Sequence, residues 1–589
     1  MNPTIAERLA KVRAVLTEQQ VDAFLIPRAD EYLGEYIPLQ NERLHWVSGF
    51  TGSAGMVVVL AEKAAIFVDG RYTIQVRQQV PGDLFEYHHS VEEPILPWLI
   101  SQLAKDQTVG IDSRLHSWGF YQDAKAELEK AGINLTETAN AVDASWHDRP
   151  TATNDQALLL DETYSGEHSL AKRQRIGEMI SKAGADVAVV NQLDSIAWLL
   201  NIRGNDVPHL PVILGSALLF KDGQMDFFTE PAKLPNDLAS HVGNGVTIKR
   251  ETLWQQALAD MGDKTILIDK AATNAFTYLR CQDSGAAIQD GRDPTLIPKA
   301  TKNTVELSGM RNCHVRDGCA VTRFLRWIEV ETAAGVLHDE ATLADKLKQF
   351  RLALSDIHDL SFDTISAAAA NGALCHYNHL NGTPAQLELD SLYLVDSGGQ
   401  YLDGTTDITR TVVIGEPSPE HKRNFTLVLK GHIALANAIF PRGTTGVQLD
   451  VLARQFLWQN GLDYDHGTGH GVGSFLSVHE GPIRIGKSPV EAGELLPGMV
   501  LSNEPGYYKE NEYGIRCENL MCVVEREDGL LAFETITFVP FDRHLIDTAL
   551  LDPTERNWLN QYHEQVKAKL SPHLVGEDLT WLSAATQSM

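Results

Sequence analysis

The most informative stretch of this chain is Leu392–Ile414, which reads LYLVDSGGQYLDGTTDITRTVVI. Two strand-like patterns flank Gly398–Gly399 and Asp403–Gly404, which predicts that they pair as a hairpin-like unit. Asp396 ends the first pattern and Asp407 begins the second. Because these two acids lie within apolar or Thr-rich strands, burial without a partner would be costly for them. A cation shared by Asp396 and Asp407 would remove that cost.

A second cluster, Asp465–Gly481 (DHGTGHGVGSFLSVHEG), holds His466, His470 and His479. Glycines at alternate positions of this segment disfavour the helix that a His-x3-His zinc site would need. We therefore expect a loop in which the backbone and the imidazoles approach a ligand closely. A single histidine is more often a core or surface residue, but three within 14 positions of a Gly-rich loop indicate a site.

A third cluster combines Leu501–Tyr508 (LSNEPGYY) with Gly514–Leu520 (GIRCENL). Glu504 precedes a Pro-Gly turn that would fix its direction. Glu518 follows Arg516 by two residues, which puts both side chains on one face of a predicted strand. Without a ligand, Glu504 would be a turn residue and Glu518 a surface residue paired with Arg516.

The three clusters together supply four carboxylates and at least one imidazole. This is too acidic for a closed structural zinc site, which favours Cys and His. Oxygen-rich ligands with one His suit harder divalent ions, and carboxylates can bridge two of them. A pair of metals about 3.5–4 Å apart activates water and polarises a carbonyl, as in two-metal aminopeptidases.

The first 300 residues have the pattern of one unit used twice. In each copy an amphipathic helix leads to a buried strand, then a Trp-containing segment, then a strand that ends in Ile-Asp. This alternation of helix and buried strand predicts two α/β domains. The matching strands are Val21–Ile26 with Ala185–Val190, and Thr108–Asp112 with Thr265–Asp269.

The sequence predicts three domains, over residues 1–150, 151–305 and 306–589. The polar segment Trp146–Asp155 is the expected linker between the two α/β domains, and a second boundary is expected near Arg292–Asn303. A long helix should start near Glu306, followed by β-rich sequence to about Pro540 and a helical tail at Pro553–Leu570. The fold class is therefore α/β followed by α+β.

The composition excludes several functions. The 589 residues include 78 acidic and 50 basic side chains, a formal net charge of -28. This balance argues against binding to nucleic acid or to an anionic membrane, since phosphates need a basic face. Charged residues within Met1–Leu16 rule out a signal peptide there, and six cysteines without a C-x-x-C pattern are expected to be buried and reduced. We expect a cytoplasmic protein that is not membrane-bound.

Five segments in order resemble the dinuclear metallopeptidases of the pita-bread fold. They are Asn371–Tyr377 (NGALCHY), Asp396–Asp407 (DSGGQYLDGTTD), His466–Gly473 (HGTGHGVG), Glu504–Tyr508 (EPGYY) and Arg516–Glu518 (RCE). Three N-terminal segments also resemble the long cytosolic form of the Xaa-Pro aminopeptidase (aminopeptidase P) family: Glu35–Pro38 (EYIP), Val47–Gly55 (VSGFTGSAG) and Asp69–Tyr72 (DGRY). The resemblance implies two creatinase-like α/β domains before a pita-bread catalytic domain.

The resemblance also implies a ligand set for two divalent metal ions per chain. Asp396 and Asp407 would hold one metal, and His470 and Glu504 would hold the other together with Asp407. Glu518 would bridge both. The metals would be Mn²⁺, with Zn²⁺ or Co²⁺ as alternatives.

The implied reaction releases the first residue of a peptide that has proline second. A hydroxide bridging the metals would attack the carbonyl before the proline, with Glu504 as the proton shuttle. Three histidines would bind the substrate, relay a proton and stabilise the oxyanion: His376, His466 and His479. Arg516 would orient Glu518 or its neighbours. A homodimer is also implied.

Two residues keep open interpretations. Arg71 could bind the substrate from the N-terminal domain, or form a structural salt bridge. His379, close to His376, is expected at the surface.

Two alternative functions remain at this point. The first is a prolidase, which cleaves only Xaa-Pro dipeptides, although such relatives are usually shorter and have one N-terminal domain. The second is a non-catalytic pita-bread protein that binds peptides, although such relatives lose metal ligands and this chain retains all five.

Overall fold

The structure is a computed structural model that describes residues 4–488 and 493–589. The chain divides into two compact units, the first formed by residues 4–161 and 167–296 and the second by residues 162–166 and 297–589. The first unit contains both predicted α/β domains. The division into three domains stays a prediction. Among the described residues, no helix is both long and apolar enough to cross a membrane.

The first half of the first unit is built on a six-stranded sheet of order β4-β3-β2-β1-β5-β6. Its central strand is buried along its whole length, as expected for a sheet covered on both faces. The strands are β1 (Ala23–Pro27), β2 (Met56–Leu60), β3 (Ala64–Val68), β4 (Glu86–His89), β5 (Thr108–Ile111) and β6 (Asn134–Glu137). The helices are α1 (Ile5–Gln19), α2 (Arg43–Ser48), α3 (Gln75–Gln79), α4 (Ile95–Gln102), α5 (Trp118–Lys130) and α6 (Ala141–Ser145).

The second half of this unit repeats that sheet, with order β12-β11-β10-β8-β13-β14. The two sheets agree in the direction of every neighbouring pair, since β8 pairs antiparallel with β10 and parallel with β13 as β1 does with β2 and β5. The strands are β7 (Leu158–Leu159), β8 (Val187–Val190), β9 (Ile202–Arg203), β10 (Ser216–Phe220), β11 (Met225–Thr229), β12 (Val246–Arg250), β13 (Thr265–Ile268) and β14 (Ala287–Asp290). The helices are α8 (Ser169–Lys182), α9 (Leu193–Leu200), α10 (Leu238–Val242), α11 (Trp254–Ala259) and α12 (Ala275–Asp283), while α7 (Glu162–Ser165) belongs to the second unit. The shared topology agrees with the predicted repeat.

Direct contacts between the two halves explain why they form one unit. The rings of Trp118 and Tyr278 stack with centroids 3.9 Å apart. The Trp118 backbone N–H donates to the carbonyl of Thr273 at 2.9 Å. The predicted linker Trp146–Asp155 forms neither helix nor strand.

The second unit is organised by the long helix α14 (Thr304–Ala333). Asn303 caps this helix, and the Asn303 backbone N–H donates to the Glu306 carboxylate, which completes a capping box. The predicted apolar face is buried, with Phe324 and Ile328 at most 3% exposed. The other helices are α13 (Leu296–Ala300), α15 (Glu340–Leu352), α16 (Pro419–Ala436), α17 (Gly446–Trp458), α18 (Pro553–Leu570) and α19 (Gly576–Ala585).

The region after α14, which was predicted to be β-rich, contains helices as well as strands. Helices α15, α16 and α17 lie within that region, and α19 follows the predicted tail α18. The strands are β15 (Ile357–Leu360), β16 (Ile365–Ala368), β17 (Ser391–Ser397), β18 (Gly399–Tyr401), β19 (Gly404–Thr405), β20 (Ile408–Ile414), β21 (Ile439–Phe440), β22 (Gly469–Gly471), β23 (Glu480–Ile485), β24 (Val500–Asn503), β25 (Gly506–Lys509), β26 (Tyr513–Arg516), β27 (Asn519–Glu525) and β28 (Leu531–Thr535).

Two antiparallel pairings bring the predicted clusters together. Strands β17 and β20 pair from Ser391↔Ile414 to Ser397↔Ile408, as the hairpin-like pattern predicted. In the six-stranded sheet β21-β28-β27-β24-β22-β23, the β24–β27 ladder ends at Asn503↔Asn519. Glu504 and Glu518 are the next residues outward from that pair, so they leave the sheet side by side.

Candidate metal centre

The structure places the five predicted ligands in one region of the second unit. Asp396 lies in β17, and Asp407 immediately precedes β20. Ligand atoms of Asp407, His470 and Glu518 all lie within 4.8 Å of one another. The His470 Nε2 atom is 3.5 Å from Asp407 Oδ2 and 3.5 Å from Glu504 Oε1.

His470 lies in the short strand β22 rather than in the expected loop. The residues beside it must be glycine, because a Cβ on Gly469 would lie 2.1 Å from the Ser502 carbonyl oxygen and one on Gly471 would lie 2.3 Å from that of Glu480. The His470 Nδ1 atom is 3.0 Å from the Gly471 carbonyl oxygen, which leaves Nε2 directed at the acids. Burial opposes the charged imidazole, but Asp407 and Glu504 outweigh it and raise the pKa of His470 to about 9.

Asp396 is held by Arg516 through one oxygen only. The Arg516 guanidinium donates to Asp396 Oδ2 at 2.6 Å, whereas Asp396 Oδ1 is buried and has no hydrogen-bond partner among the described residues. Burial raises the pKa of Asp396 to about 7, against the opposing charge of Arg516 and with further help from Asp407. Arg516 also reaches Glu518 indirectly, because its Nε donates to Thr409 Oγ1 at 3.0 Å and that hydroxyl donates to Glu518. The predicted orienting role of Arg516 toward Glu518 or its neighbours stays a prediction.

Glu518 is not a surface residue paired with Arg516, because it is only 1% exposed. It lies between β26 and β27 rather than within a strand, and Thr409 Oγ1 donates to its Oε2 at 2.6 Å. Burial and the nearby carboxylates, led by Asp407, raise its pKa well above the usual range.

Glu504 completes an acid-rich group with little compensating charge. Ser502 Oγ donates to Glu504 Oε1 at 3.1 Å, and burial raises the pKa of Glu504 while His470 and Arg516 oppose the shift. Four enclosed carboxylates thus share mainly one arginine and one histidine. Raised pKa values and the unpaired Asp396 oxygen both indicate that positive charge would stabilise this arrangement.

His466 is linked to Arg516 through Tyr508, a residue to which the sequence analysis gave no role. The Tyr508 hydroxyl lies 2.7 Å from His466 Nε2 and accepts from the Arg516 guanidinium at 2.6 Å. The His466 Nδ1 atom is 2.7 Å from the Gly467 carbonyl oxygen, so Nδ1 carries the proton and Tyr508 donates to Nε2. The sequence signal that could have identified Tyr508 is its place in the segment Glu504–Tyr508 (EPGYY).

The other two predicted histidines are both half-buried. His479 has its ring centroid 4.3 Å from that of His470. His376 lies in the turn that follows residues 369–373, a segment that packs on the β25–β26 hairpin because Gly372 and Gly514 approach closely. The surface expectation for His379 is wrong, since this residue is 7% exposed. All six cysteines are free thiols, and five are buried as expected, whereas Cys375 is half-buried.

Arg71 lies in the first unit and forms a bidentate ion pair. Its Nε and terminal nitrogen donate to the two carboxylate oxygens of Asp69 at 3.0 and 2.8 Å. This is the salt bridge that the sequence left as one alternative. A role for Arg71 at the substrate stays a prediction.

The fold and the acid-rich centre are those of a metallopeptidase, and the chain belongs to metallopeptidase family M24. The model of that family matches residues 308–525, and a C-terminal region model of the same family matches residues 529–589. Creatinase/prolidase N-terminal domain models match residues 8–145 and 148–306. These matches confirm the predicted fold class, in which two creatinase-like N-terminal domains precede a catalytic domain.

The full-length relatives are Xaa-Pro aminopeptidases. The chain is 39% identical over 605 residues to a probable Xaa-Pro aminopeptidase P of Botryotinia fuckeliana, covering 98% of this chain and 92% of that protein. It is 39% identical to the probable Xaa-Pro aminopeptidase P of Neurospora crassa, with 100% and 89% covered. The crystal structure of X-prolyl aminopeptidase from Caenorhabditis elegans, described as a cytosolic enzyme with a di-nuclear active site, matches all of both chains with 34% identity and a TM-score of 0.95.

A shorter structural relative shares the fold alone. The Xaa-Pro dipeptidase from Bacillus anthracis matches with a TM-score of 0.52 and 22% identity, over 64% of this chain and 99% of that one. The predicted membership in the Xaa-Pro aminopeptidase family is confirmed by the full-length relatives.

Proposed function

We propose that this protein is a metal-dependent exopeptidase that releases the N-terminal residue from peptides with proline in second position. The observation that carries the proposal is the enclosed group of four carboxylates and His470, in which one buried oxygen of Asp396 has no hydrogen-bond partner within residues 4–488 and 493–589. Membership in a metallopeptidase family and full-length similarity to Xaa-Pro aminopeptidases support the reaction class.

The residues of this centre fit a pair of divalent cations. Asp396 and Asp407 would hold one ion, His470 and Glu504 would hold the second together with Asp407, and Glu518 would bridge them. Oxygen-rich donors with one imidazole suit Mn²⁺, and Zn²⁺ or Co²⁺ are alternatives. When bound, the ions would polarise the scissile carbonyl and lower the pKa of water.

The remaining side chains would bind and orient the peptide and move its protons. The raised pKa of Glu504 suits a group that takes a proton and returns it to the departing proline nitrogen. His479, beside His470, and His376 would hold the substrate and stabilise the oxyanion. His466, fixed by Tyr508, would take part in the same binding and relay.

Proline in second position is a consistent target for such a site. The Xaa-Pro amide has no N–H and its ring restricts the backbone, so peptidases that rely on that donor handle it poorly. A site that recognises the ring and the free α-amine would therefore be a narrow exopeptidase.

The test is hydrolysis of a peptide set after chelation and reconstitution with Mn²⁺. We expect cleavage of an Xaa-Pro-Pro tripeptide in preference to an Xaa-Pro dipeptide, and no cleavage of the matched Xaa-Ala-Pro peptide. A clear preference for the dipeptide would instead favour a prolidase.

Metal analysis of the same samples addresses the non-catalytic alternative. About two ions per chain are expected from the two-metal proposal. Chains that bind fewer and stay inactive when metal is added would be peptide-binding proteins rather than enzymes.

We further propose that the protein is a cytoplasmic homodimer made of three domains per chain, over residues 1–150, 151–305 and 306–589. The similar Caenorhabditis elegans enzyme is described as cytosolic, which supports the location. Light scattering tests the oligomeric state.

A further inference from the structure

A buried histidine outside the proposed reaction connects the two glutamates of the metal centre. His432 lies in the last turns of α16 and is 0% exposed. Rings of Phe541 and Trp558 surround it, with centroids 5.3 and 5.9 Å away. No role follows for this residue from the sequence motifs.

Its imidazole contacts the residues that directly precede Glu504 and Glu518. The His432 Nδ1 atom lies 3.1 Å from the carbonyl oxygen of Asn503 and 3.2 Å from that of Cys517. Both acceptors are carbonyls, so Nδ1 carries the proton and donates to the two together. One donor therefore joins the backbone on both sides of the metal centre.

Two further bonds fix the ring in this position. Asn519 Nδ2 lies 3.3 Å from His432 Nε2. In the neutral imidazole with its proton on Nδ1, Nε2 is an acceptor, so Asn519 donates to it. Asn503 Nδ2 donates to the His432 backbone carbonyl at 2.9 Å. Asn503 and Asn519 are the last paired residues of the β24–β27 ladder, so the imidazole lies where that ladder opens toward the two glutamates.

The neutral imidazole is suited to this role because it can donate and accept simultaneously. Burial, aided by the charge of Arg410, lowers the pKa of His432 to about 3. At neutral pH the ring therefore keeps an N–H at Nδ1 that donates and a lone pair at Nε2 that accepts.

We propose that His432 is a positioning residue that sets the spacing between Glu504 and Glu518 and thereby the affinity for the metal pair. This inference rests on the proposed two-metal function. Without the shared donor, the backbone carbonyls of Asn503 and Cys517 are no longer held to one imidazole. The adjacent glutamates would then bind the ions less tightly. Residues that orient metal ligands typically change metal affinity by about 10–100-fold.

The test compares His432→Leu with His432→Asn, because the Asn amide can place an N–H near the position of Nδ1 while Leu cannot. Mn²⁺ binding to the chelated full-length protein is measured by titration calorimetry, with circular dichroism to confirm folding. We expect His432→Leu to bind Mn²⁺ roughly 10–100-fold more weakly and His432→Asn to recover most of that loss.

His563 provides a matched control. It is also 0% exposed, its pKa is likewise lowered by burial to about 3, and its Nε2 accepts from the Phe541 backbone at 3.2 Å. Its ring therefore bonds the Phe541 backbone and not the residues beside Glu504 or Glu518. His563→Leu should therefore cost stability while leaving Mn²⁺ affinity as in the unmodified protein.

The outcomes separate this inference from the proposed function. If the unmodified protein does not bind two ions, the two-metal function fails and the inference fails with it. If the unmodified protein binds both ions and His432→Leu binds them as tightly as His563→Leu does, only the positioning role is overturned. Should His432→Leu not fold, His432→Gln replaces it, and equal Mn²⁺ affinity for the Asn and Gln variants contradicts a donor at the Nδ1 position.

Discussion

One buried acid of the first unit and one acid-rich group of the second unit are compensated differently. In the first unit, Asp206 is buried with a cation of its own, since Lys233 lies 2.8 Å away and both side chains are at most 7% exposed. Thr153 and the Leu214 backbone donate to the same carboxylate at 2.9 and 2.8 Å. Each charge of this pair is matched within the protein.

In the second unit, four carboxylates share Arg516 and His470, and one buried oxygen of Asp396 has no hydrogen-bond partner in the described part of the chain. A buried charge without compensation is strongly destabilising, so such a carboxylate must either bind a proton or be neutralised by a cation. We therefore interpret the Asp206–Lys233 pair as structural. We interpret the acid-rich group as a binding site for cations. The comparison predicts opposite outcomes for variants in the two regions.

Asp407→Asn should have the largest effect on activity, because this residue is proposed to contact both metals. Loss of a charged ligand should remove several kcal/mol of transition-state stabilisation, so kcat/KM should fall by about 1,000-fold or more. Peptide hydrolysis with Mn²⁺ in excess is the measurement, with circular dichroism to confirm folding.

Asp403→Asn is the control for this experiment, because Asp403 lies in the same segment but pairs with Arg316. Its loss should leave turnover within a few-fold of the unmodified enzyme. Near-normal turnover in Asp407→Asn would remove Asp407 from the centre.

The stability of the chelated protein should fall as pH rises. Asp396, with its pKa raised to about 7, holds a proton between about pH 4 and 7 that the unfolded chain has released. His470, with its pKa raised to about 9, gives stability that is complete below its unfolded pKa of about 6.5 and is lost toward pH 9. Urea unfolding of the chelated protein at about pH 5 and about pH 8 should thus differ by a few kcal/mol, with the lower pH more stable.

Added Mn²⁺ should reverse this trend, because metal competes with protons for the same ligands. The Asp396→Asn variant should lose part of the slope below pH 7, because Glu504 and Glu518 also have raised pKa values and keep the rest. A chelated protein that is more stable at the higher pH would contradict the excess of buried acid in this centre.

Lys233→Met should affect stability rather than chemistry. Removing the cation leaves Asp206 buried and unpaired, at a cost of about 3–5 kcal/mol of unfolding free energy. Turnover per folded molecule should not change. The double variant Asp206→Asn/Lys233→Met should recover most of the loss. A change in Mn²⁺ affinity in either variant would mean that the pair is not purely structural.

The parts of the fold that were predicted depend on local signals. Helix α18 has the predicted bounds Pro553–Leu570, because Asp552 caps it and Pro553 occupies its first turn. Helix α14 likewise follows from a capping box and an apolar face. Ligands such as Asp396, Asp407 and His470 could be proposed from the sequence because each has a local signal: an acid within an apolar or Thr-rich pattern, or a histidine between glycines.

The parts that were not predicted depend on contacts between distant residues. Arg516 pairs with Asp396, 120 positions away, and no local pattern in the sequence specifies that contact. The burial of His379 and the link from Tyr508 to His466 arise in the same way from tertiary packing. His432, 71 positions before Asn503, illustrates how a residue outside every motif can be positioned against the centre.

The smallest predicted effect concerns Arg71, for which the chain offers an internal control. Arg114 binds Asp112 in the same way that Arg71 binds Asp69, with its Nε and terminal nitrogen at 3.0 and 2.8 Å from the two carboxylate oxygens. Both arginines are partly exposed, so the ion pairs themselves contribute about 1 kcal/mol. The two arginines differ in sequence context, because only Arg71 lies in the segment that resembles the long aminopeptidases.

If Arg71 contacts the substrate, Arg71→Ala should raise KM by roughly tenfold, equivalent to about 1.4 kcal/mol of binding, with kcat little changed. Arg114→Ala should leave both constants unaltered and lose similar stability. Steady-state kinetics on an Xaa-Pro-Pro peptide and thermal unfolding of both variants are the measurements. Equal KM values for the two variants would mean that Arg71 does not contact the substrate and serves only in its ion pair with Asp69.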